Sequence, residues 1–273
     1  MVKFAIDAGH GLNTPGKRAP DGSMREFHFN NPVAQMVGKM LINNYVGVEV
    51  MFPYDVTGKT DTGLTERTTR ANNWKADAFI SIHANAYGSG GFNSVSGIET
   101  FIYEGPVSNK SIELAANVQN HLIRDTGRKN RGVKRANFAV LRQTKMPAIL
   151  AECGFMTNAE ELALLKSDSY RTMCAVAIVK GIVETYKLQE KPSKVIPAAP
   201  SAKPPENVVG LFAPNHAEMR EAMIRVLKRM ETHGDQPIST IHREKLERGE
   251  TTLSDALGLI YVAIDRGFLK GGE

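Results

Sequence analysis

Four side chains in this sequence can do chemistry as a set if the fold brings them together: His10, Glu26, His83 and Glu152. His10 follows the apolar run "FAIDAG" and stands between two glycines, and Glu26 returns sixteen residues later after a polar loop. His83 lies at the end of "ADAFISIH", and Glu152 ends "MPAILAE". Two imidazoles and one carboxylate are a usual zinc set for hydrolysis, with water in the fourth position. Zinc lowers the pKa of such a water to about 7. A further carboxylate, free of the metal, then takes the proton and later passes it to a departing nitrogen. Glu152 fits that role. The glycines beside His10 permit a tight turn and close backbone approach to a ligand. Asp7 has two equal readings, as the group that orients an imidazole or as a cap on the turn.

Each of these residues also has a plainer reading. Glu26 alone is a solvated loop charge, and a histidine ending a buried strand is commonly satisfied by a backbone carbonyl. Spacing alone leaves the metal site and the ordinary loop both open. Strand alternation puts Phe79, Ser81 and His83 on one face and turns Cys153 away from Glu152. Without an H-E-x-x-H helix, a thermolysin-type centre is excluded. His28, two residues past Glu26, is a competing ligand but is expected to pack or face solvent. His121 is expected to be exposed. His216, His233 and His242 have no ligand spacing. Asn85 and Arg142 are candidates for hydrogen bonds to substrate. Cys153 and Cys174 are too few and too far apart for a disulfide framework, so both are expected as buried thiols.

The elements that must carry the site read as alternating strands and helices. Strands are expected at 2–7, 48–52, 78–83, 97–103, 138–141 and 147–152. Helices are expected at 31–44, 64–74, 108–126 and 170–188, with Glu66 and Arg70 paired one turn apart and Gly127 ending the third. This order predicts an α/β fold: a twisted, largely parallel sheet with helices on both faces. Ligands of such sheets bind beyond the carboxyl ends of the strands, where His10, His83 and Glu152 fall.

A proline-rich stretch, "KPSKVIPAAPSAKPPEN", divides the chain. Proline locks φ and favours extended backbone, which makes residues 191–206 a semi-rigid linker between a domain at 1–190 and a small one at 207–273. The tail reads as three helices, with Met219, Met223 and Met230 in the core of the first. Tyr261 and Phe268 offer either packing or a sugar-contact patch. Of the 273 residues, 42% are hydrophobic and 23% charged, ordinary for a globular protein. No run of about 18 apolar residues suggests a membrane span. The N-terminal residues lack a signal-peptide pattern, so synthesis in the cytoplasm is expected. The net charge of +5 suits weak attraction to a polyanionic surface. It lacks the dense basic stripe of a nucleic-acid binder.

In order and spacing, "IDAGHG", "MREFHFN", "FISIHANA" and "PAILAECGFMTNAEE" resemble the motifs of the zinc-dependent N-acetylmuramoyl-L-alanine amidases of type 3. The stretches "LTERTTRANN" and "RGVKRANFAVLRQTKMPAILAE" are similar too, and the likeness runs from about Val2 to Leu188. The resemblance implies one zinc ion held by His10, Glu26 and His83, with Glu152 as the catalytic acid and base. It also implies a substrate, the peptidoglycan amide between the lactyl group of N-acetylmuramic acid and L-alanine. This chain reads "DAGHGL" where the family usually has "DPGHGG", a change in the loop and not in a ligand. The resemblance, with no signal peptide, further implies a phage or prophage endolysin released through a holin, its tail bound to a cell-wall polymer. Two other functions stay open: a zinc peptidase cutting within the stem peptide, and a wall-binding protein without catalysis.

Overall fold

Short apolar runs rich in β-branched residues form the centre of the fold. The computed structural model describes residues 1–88, 90–192, 224, 244, 247 and 248. The chain divides into two units, Met1–Lys194 and Val195–Glu273. In the second unit the described positions, Ile224, Glu244, Glu247 and Arg248, are helical. The expected linker and three-helix tail otherwise lie outside the described residues, as do His216, His233, His242, Tyr261, Phe268 and the methionine stripe. Among the described residues no helix is long and apolar enough to cross a membrane.

The first unit runs β1 (Val2–Ala8), α1 (Phe27–Asn44), β2 (Val48–Met51), α2 (Leu64–Trp74), β3 (Ala78–Asn85), β4 (Ile98–Tyr103), α3 (Asn109–Thr126), β5 (Asn130–Ala136), α4 (Ala139–Arg142), β6 (Ala148–Phe155), α5 (Ala159–Lys166) and α6 (Asp168–Tyr186). The six strands form one sheet in the order β2-β1-β3-β6-β4-β5. β2, β1, β3 and β6 are mutually parallel, so their carboxyl ends share one edge. β4 pairs antiparallel with β6 and parallel with β5. The sheet is therefore mixed and mostly parallel, as the alternation of elements predicts.

Alternation along the strands sorts side chains onto two unequal faces. Phe4, Ile6, Ile80, Ile82, Ile149, Ala151 and Cys153 pack under α1, α3, α5 and α6 in the larger core. Ala5, Phe79, Ala148 and Leu150 pack on the other face against Ala71 of α2 and Val140 and Leu141 of α4. Asp7, Ser81, His83 and Glu152 belong by register to this second face. Its cover is thin, an 11-residue helix and a four-residue one, which leaves room for a cleft beside them.

Four elements differ from the sequence reading, the first being the helix α5 (Ala159–Lys166), which was not expected. In place of the strand expected at 138–141, Ala139–Arg142 form the short helix α4 behind Phe138. Val140 and Leu141 are buried side by side while Phe138 and Arg142 are exposed, a pattern a strand cannot produce. β5 was not expected, because the segment from Arg128 to Arg135 carries five cations and almost no apolar residues. It is an edge strand paired with β4 alone, and edges tolerate such charge. α1 begins at Phe27, four residues ahead of the expected start, with Pro32 inside it. Burial of Phe27 and Phe29 offsets the backbone hydrogen bond that Pro32 cannot make. Elsewhere, Gly127 ends α3 in the left-handed conformation, and Arg70 pairs with Glu66 at 2.5 Å.

Candidate metal centre

The loop between β1 and α1 is bent to bring His10 and Glu26 together. His10 has φ +66, a left-handed backbone that a non-glycine residue adopts only when its surroundings hold it there. Gly9 has no substitute, because a Cβ at this position falls 2.0 Å from Cε1 of His83. The Glu26 N–H donates to the Lys17 carbonyl at 3.0 Å, and Arg18 bridges Arg25, so the loop closes on itself. Glu26 then stands buried at the N-terminus of α1.

The three side chains meet. Glu26 Oε2 lies 3.2 Å from His10 Nε2, and Oε1 lies 2.8 Å from His83 Nδ1. The two imidazole rings stand edge to face, with centroids 5.1 Å apart. One donor atom from each of His10, Glu26 and His83 can be chosen so that all lie within 4.8 Å of one another. Three such donors fit a single divalent cation with one position left open. The backbone N–H of Ala84 and the side-chain amide of Asn30 also donate to Glu26 Oε1, at 3.3 and 3.2 Å.

Behind the imidazoles, Asp7 and Arg67 hold the arrangement. Ser81 Oγ donates to Asp7 Oδ2 at 2.7 Å, which leaves its lone pairs for His83 Nε2, 3.1 Å away. With the proton on Nε2, the Nδ1 lone pair of His83 faces Glu26 and is free for a cation; such a carboxylate-backed imidazole is a common metal-site device. Asp7 thus orients His83 through Ser81 and touches neither imidazole directly. Arg67, fully buried on α2, donates to Asp7 Oδ1 at 2.7 Å, to Thr62 O at 2.7 Å, to His10 O at 2.9 Å and to Ala8 O. It neutralises Asp7 and pins both carbonyls of the His10 turn. The sequence reading missed Arg67. The signal was a cation on the same helical face as Thr68 and Ala71, at spacing that buries it.

Glu152 faces His83 across the β3–β6 ladder and lines the same cleft of about 190 Å³, together with His10, Lys17, Leu64, Arg67, Phe138 and Val140. Its Oε2 is buried without a hydrogen-bond partner. Burial, and next the negative charge of Glu26, push its carboxyl well above the usual range, while Lys17 acts in the other direction. Burial also works to raise Glu26, but the contacts with His10 and His83 overcome it and hold that carboxyl far below the usual range. Two neighbouring carboxyls pushed apart in this way divide into a fixed anion and a proton carrier.

The remaining candidates fall elsewhere. Asn85 donates from Nδ2 to Glu99 Oε1 at 2.8 Å, and its Oδ1 accepts from Ala86 N at 2.8 Å, so both ends of the amide are in use. Glu99, buried opposite Glu152, also accepts from Arg131 and Lys134. Arg142 donates to Asn137 and lines a separate cleft with Tyr103, Lys110 and Lys145. His28 is exposed and accepts from Arg25 N. His121, expected to be exposed, is largely buried between α3 and α6, where Nε2 meets Glu184 at 2.7 Å. Both cysteines are buried and free.

The first unit is thus an α/β sheet with a His–Glu–His cluster and a buried glutamate on one face of it. Residues 4–184 match the N-acetylmuramoyl-L-alanine amidase family, and the chain belongs to it. It is 35% identical over 190 residues to N-acetylmuramoyl-L-alanine amidase CwlM of Bacillus licheniformis, a match covering 70% of this chain and 71% of that one. It is 34% identical over 191 residues to the endolysin of Bacillus phage SPP1, covering 68% of this chain and 66% of the relative. The catalytic domain of CwlV, an N-acetylmuramoyl-L-alanine amidase from Bacillus (Paenibacillus) polymyxa var. colistinus, superposes with a TM-score of 0.63. That match has 33% identity and covers 69% of this chain and 100% of CwlV.

Proposed function

We propose that this protein is a zinc-dependent peptidoglycan amidase that cuts between N-acetylmuramic acid and L-alanine and acts as an endolysin. The observation that carries the reading is the meeting of His10, Glu26 and His83 within 4.8 Å beside a buried, unpaired Glu152. Membership of the amidase family supports the substrate, and the likeness to a protein named endolysin supports the lytic role. The donor set of two imidazoles and one carboxylate favours zinc over magnesium or calcium, which prefer oxygen ligands.

His10 Nε2, His83 Nδ1 and the Glu26 carboxylate would hold the ion. When bound, zinc supplies Lewis acidity beside the scissile carbonyl and favours deprotonation of water. Glu152 takes a proton from the attacking water and delivers it to the amide nitrogen as the C–N bond breaks. The products are a muramyl carboxylic acid and a peptide with a free L-alanine amine. Ser81 and Asp7 keep His83 in one tautomer throughout. Leu64, Phe138 and Val140 give the cleft apolar walls. Residues 207–273, on the proline-rich tether 191–206, hold the catalytic unit at the wall and raise its local concentration.

Mass spectrometry of fragments from digested peptidoglycan tests this reading. The expected fragments are glycan chains with free lactyl carboxyls and peptides beginning with L-alanine. New termini inside the stem peptide, with the lactyl amide intact, would instead identify a peptidase.

A further inference from the structure

Two cations line the metal cleft, and they are used differently. The donors of Arg67 are taken up by Asp7, Ala8, His10, Asp61 and Thr62. Lys17 lines the same cleft and is exposed, and among the described residues its ammonium has no hydrogen bond or ion pair. Its backbone is nonetheless fixed. The Lys17 carbonyl is the acceptor for Glu26 N–H, and Gly16 before it makes the left-handed turn, φ +72. Glu152 lines the same cleft. A free cation on an anchored backbone beside the reacting groups lacks only an anion to pair with.

We propose that Lys17 is a specificity-determining residue that pairs with a carboxylate on the peptide half of the substrate. The proposal rests on the amidase reading above. In an N-acetylmuramoyl amide the sugar half has no free carboxylate, since its one carboxyl is the acyl group of the scissile bond. Any anion that Lys17 meets close to that bond therefore belongs to the peptide. The uncharged parts of the substrate have other walls, Leu64 and Phe138, which are 53% and 38% exposed, and Val140. A role on the developing oxyanion is less suited to Lys17, because that work needs preorganised donors and this ammonium is tied to nothing.

The test compares two soluble N-acetylmuramoyl peptides, one with its carboxyls free and one with every carboxyl capped as a carboxamide. Full-length zinc-loaded wild type, Lys17→Met and Lys17→Glu are assayed on both. The wild type is expected to show a KM about five-fold lower for the acidic peptide, with kcat alike for the two, as one partly exposed ion pair gives. Lys17→Met is expected to bring the KM ratio close to one, and Lys17→Glu to invert it. A preference for the acidic peptide that survives in Lys17→Met overturns the proposal. So does a wild type without preference, or a variant that loses kcat equally on both peptides. If the wild type cleaves neither peptide, the amidase reading fails and the proposal fails with it.

Discussion

Glu152→Gln is expected to slow peptidoglycan hydrolysis by about 10²- to 10⁴-fold while one zinc equivalent stays bound, the range that loss of a positioned acid and base produces. The substitution keeps side-chain volume, so the cleft keeps its shape. It removes the group that accepts and returns the proton. Glu152 is suited to that work by its surroundings: it is buried, it faces His83 across the ladder, and its Oε2 has no partner to compete for the proton. Burial and the charge of Glu26 push its carboxyl above the usual range. The check is a reducing-end-independent assay of released lactyl carboxyls, run beside metal analysis of the same samples. Hydrolysis within ten-fold of wild type would remove Glu152 from the proton path. Loss of zinc in the variant would make it a ligand instead.

Arg67→Met is expected to destabilise the fold by about 3–5 kcal/mol, the loss that follows when one partner of a buried ion pair is removed. Asp7 would be left as a buried charge with only Ser81 as a partner. The carbonyls of Ala8 and His10 would lose their donor, and the left-handed turn at His10 would lose the bond that holds it. Metal affinity should fall along with stability, because the same contacts set the position of His10. Arg67→Lys keeps the charge but not the planar fork, and should fall between wild type and the methionine variant. Urea denaturation with zinc titration measures both quantities. A methionine variant within 1 kcal/mol of wild type that binds zinc normally would show that Arg67 does not organise the site.

Much of this was legible in the sequence, for physical reasons. β1, β3 and β6 are continuous apolar runs, as strands buried on both faces must be. The runs expected at 2–7, 78–83 and 147–152 close on Asp7, His83 and Glu152, although β3 and β6 continue past them to Asn85 and Phe155. Period-two alternation alone places His83 with Ser81 and turns Cys153 away from Glu152. Glu26 was harder to read, since a single acid after a polar loop looks solvated. It is buried only because the loop folds back through Lys17 and Arg18. β5 was hidden because its five neighbouring cations obscure any apolar pattern, and an edge strand needs none. α4 was hidden because four residues are too few to show a helical period. Arg67 shows its role only in three dimensions. Its partners Asp7, Ala8 and His10 lie about sixty residues away in the chain, and no spacing rule connects them.

Zinc content per chain, measured for the wild type and for His83→Ala, tests the central claim most directly. If His10, Glu26 and His83 close around one ion, the wild type purified from zinc-supplied cells contains one equivalent and His83→Ala contains none. A full equivalent retained by His83→Ala, or a wild type that binds none, would contradict the account.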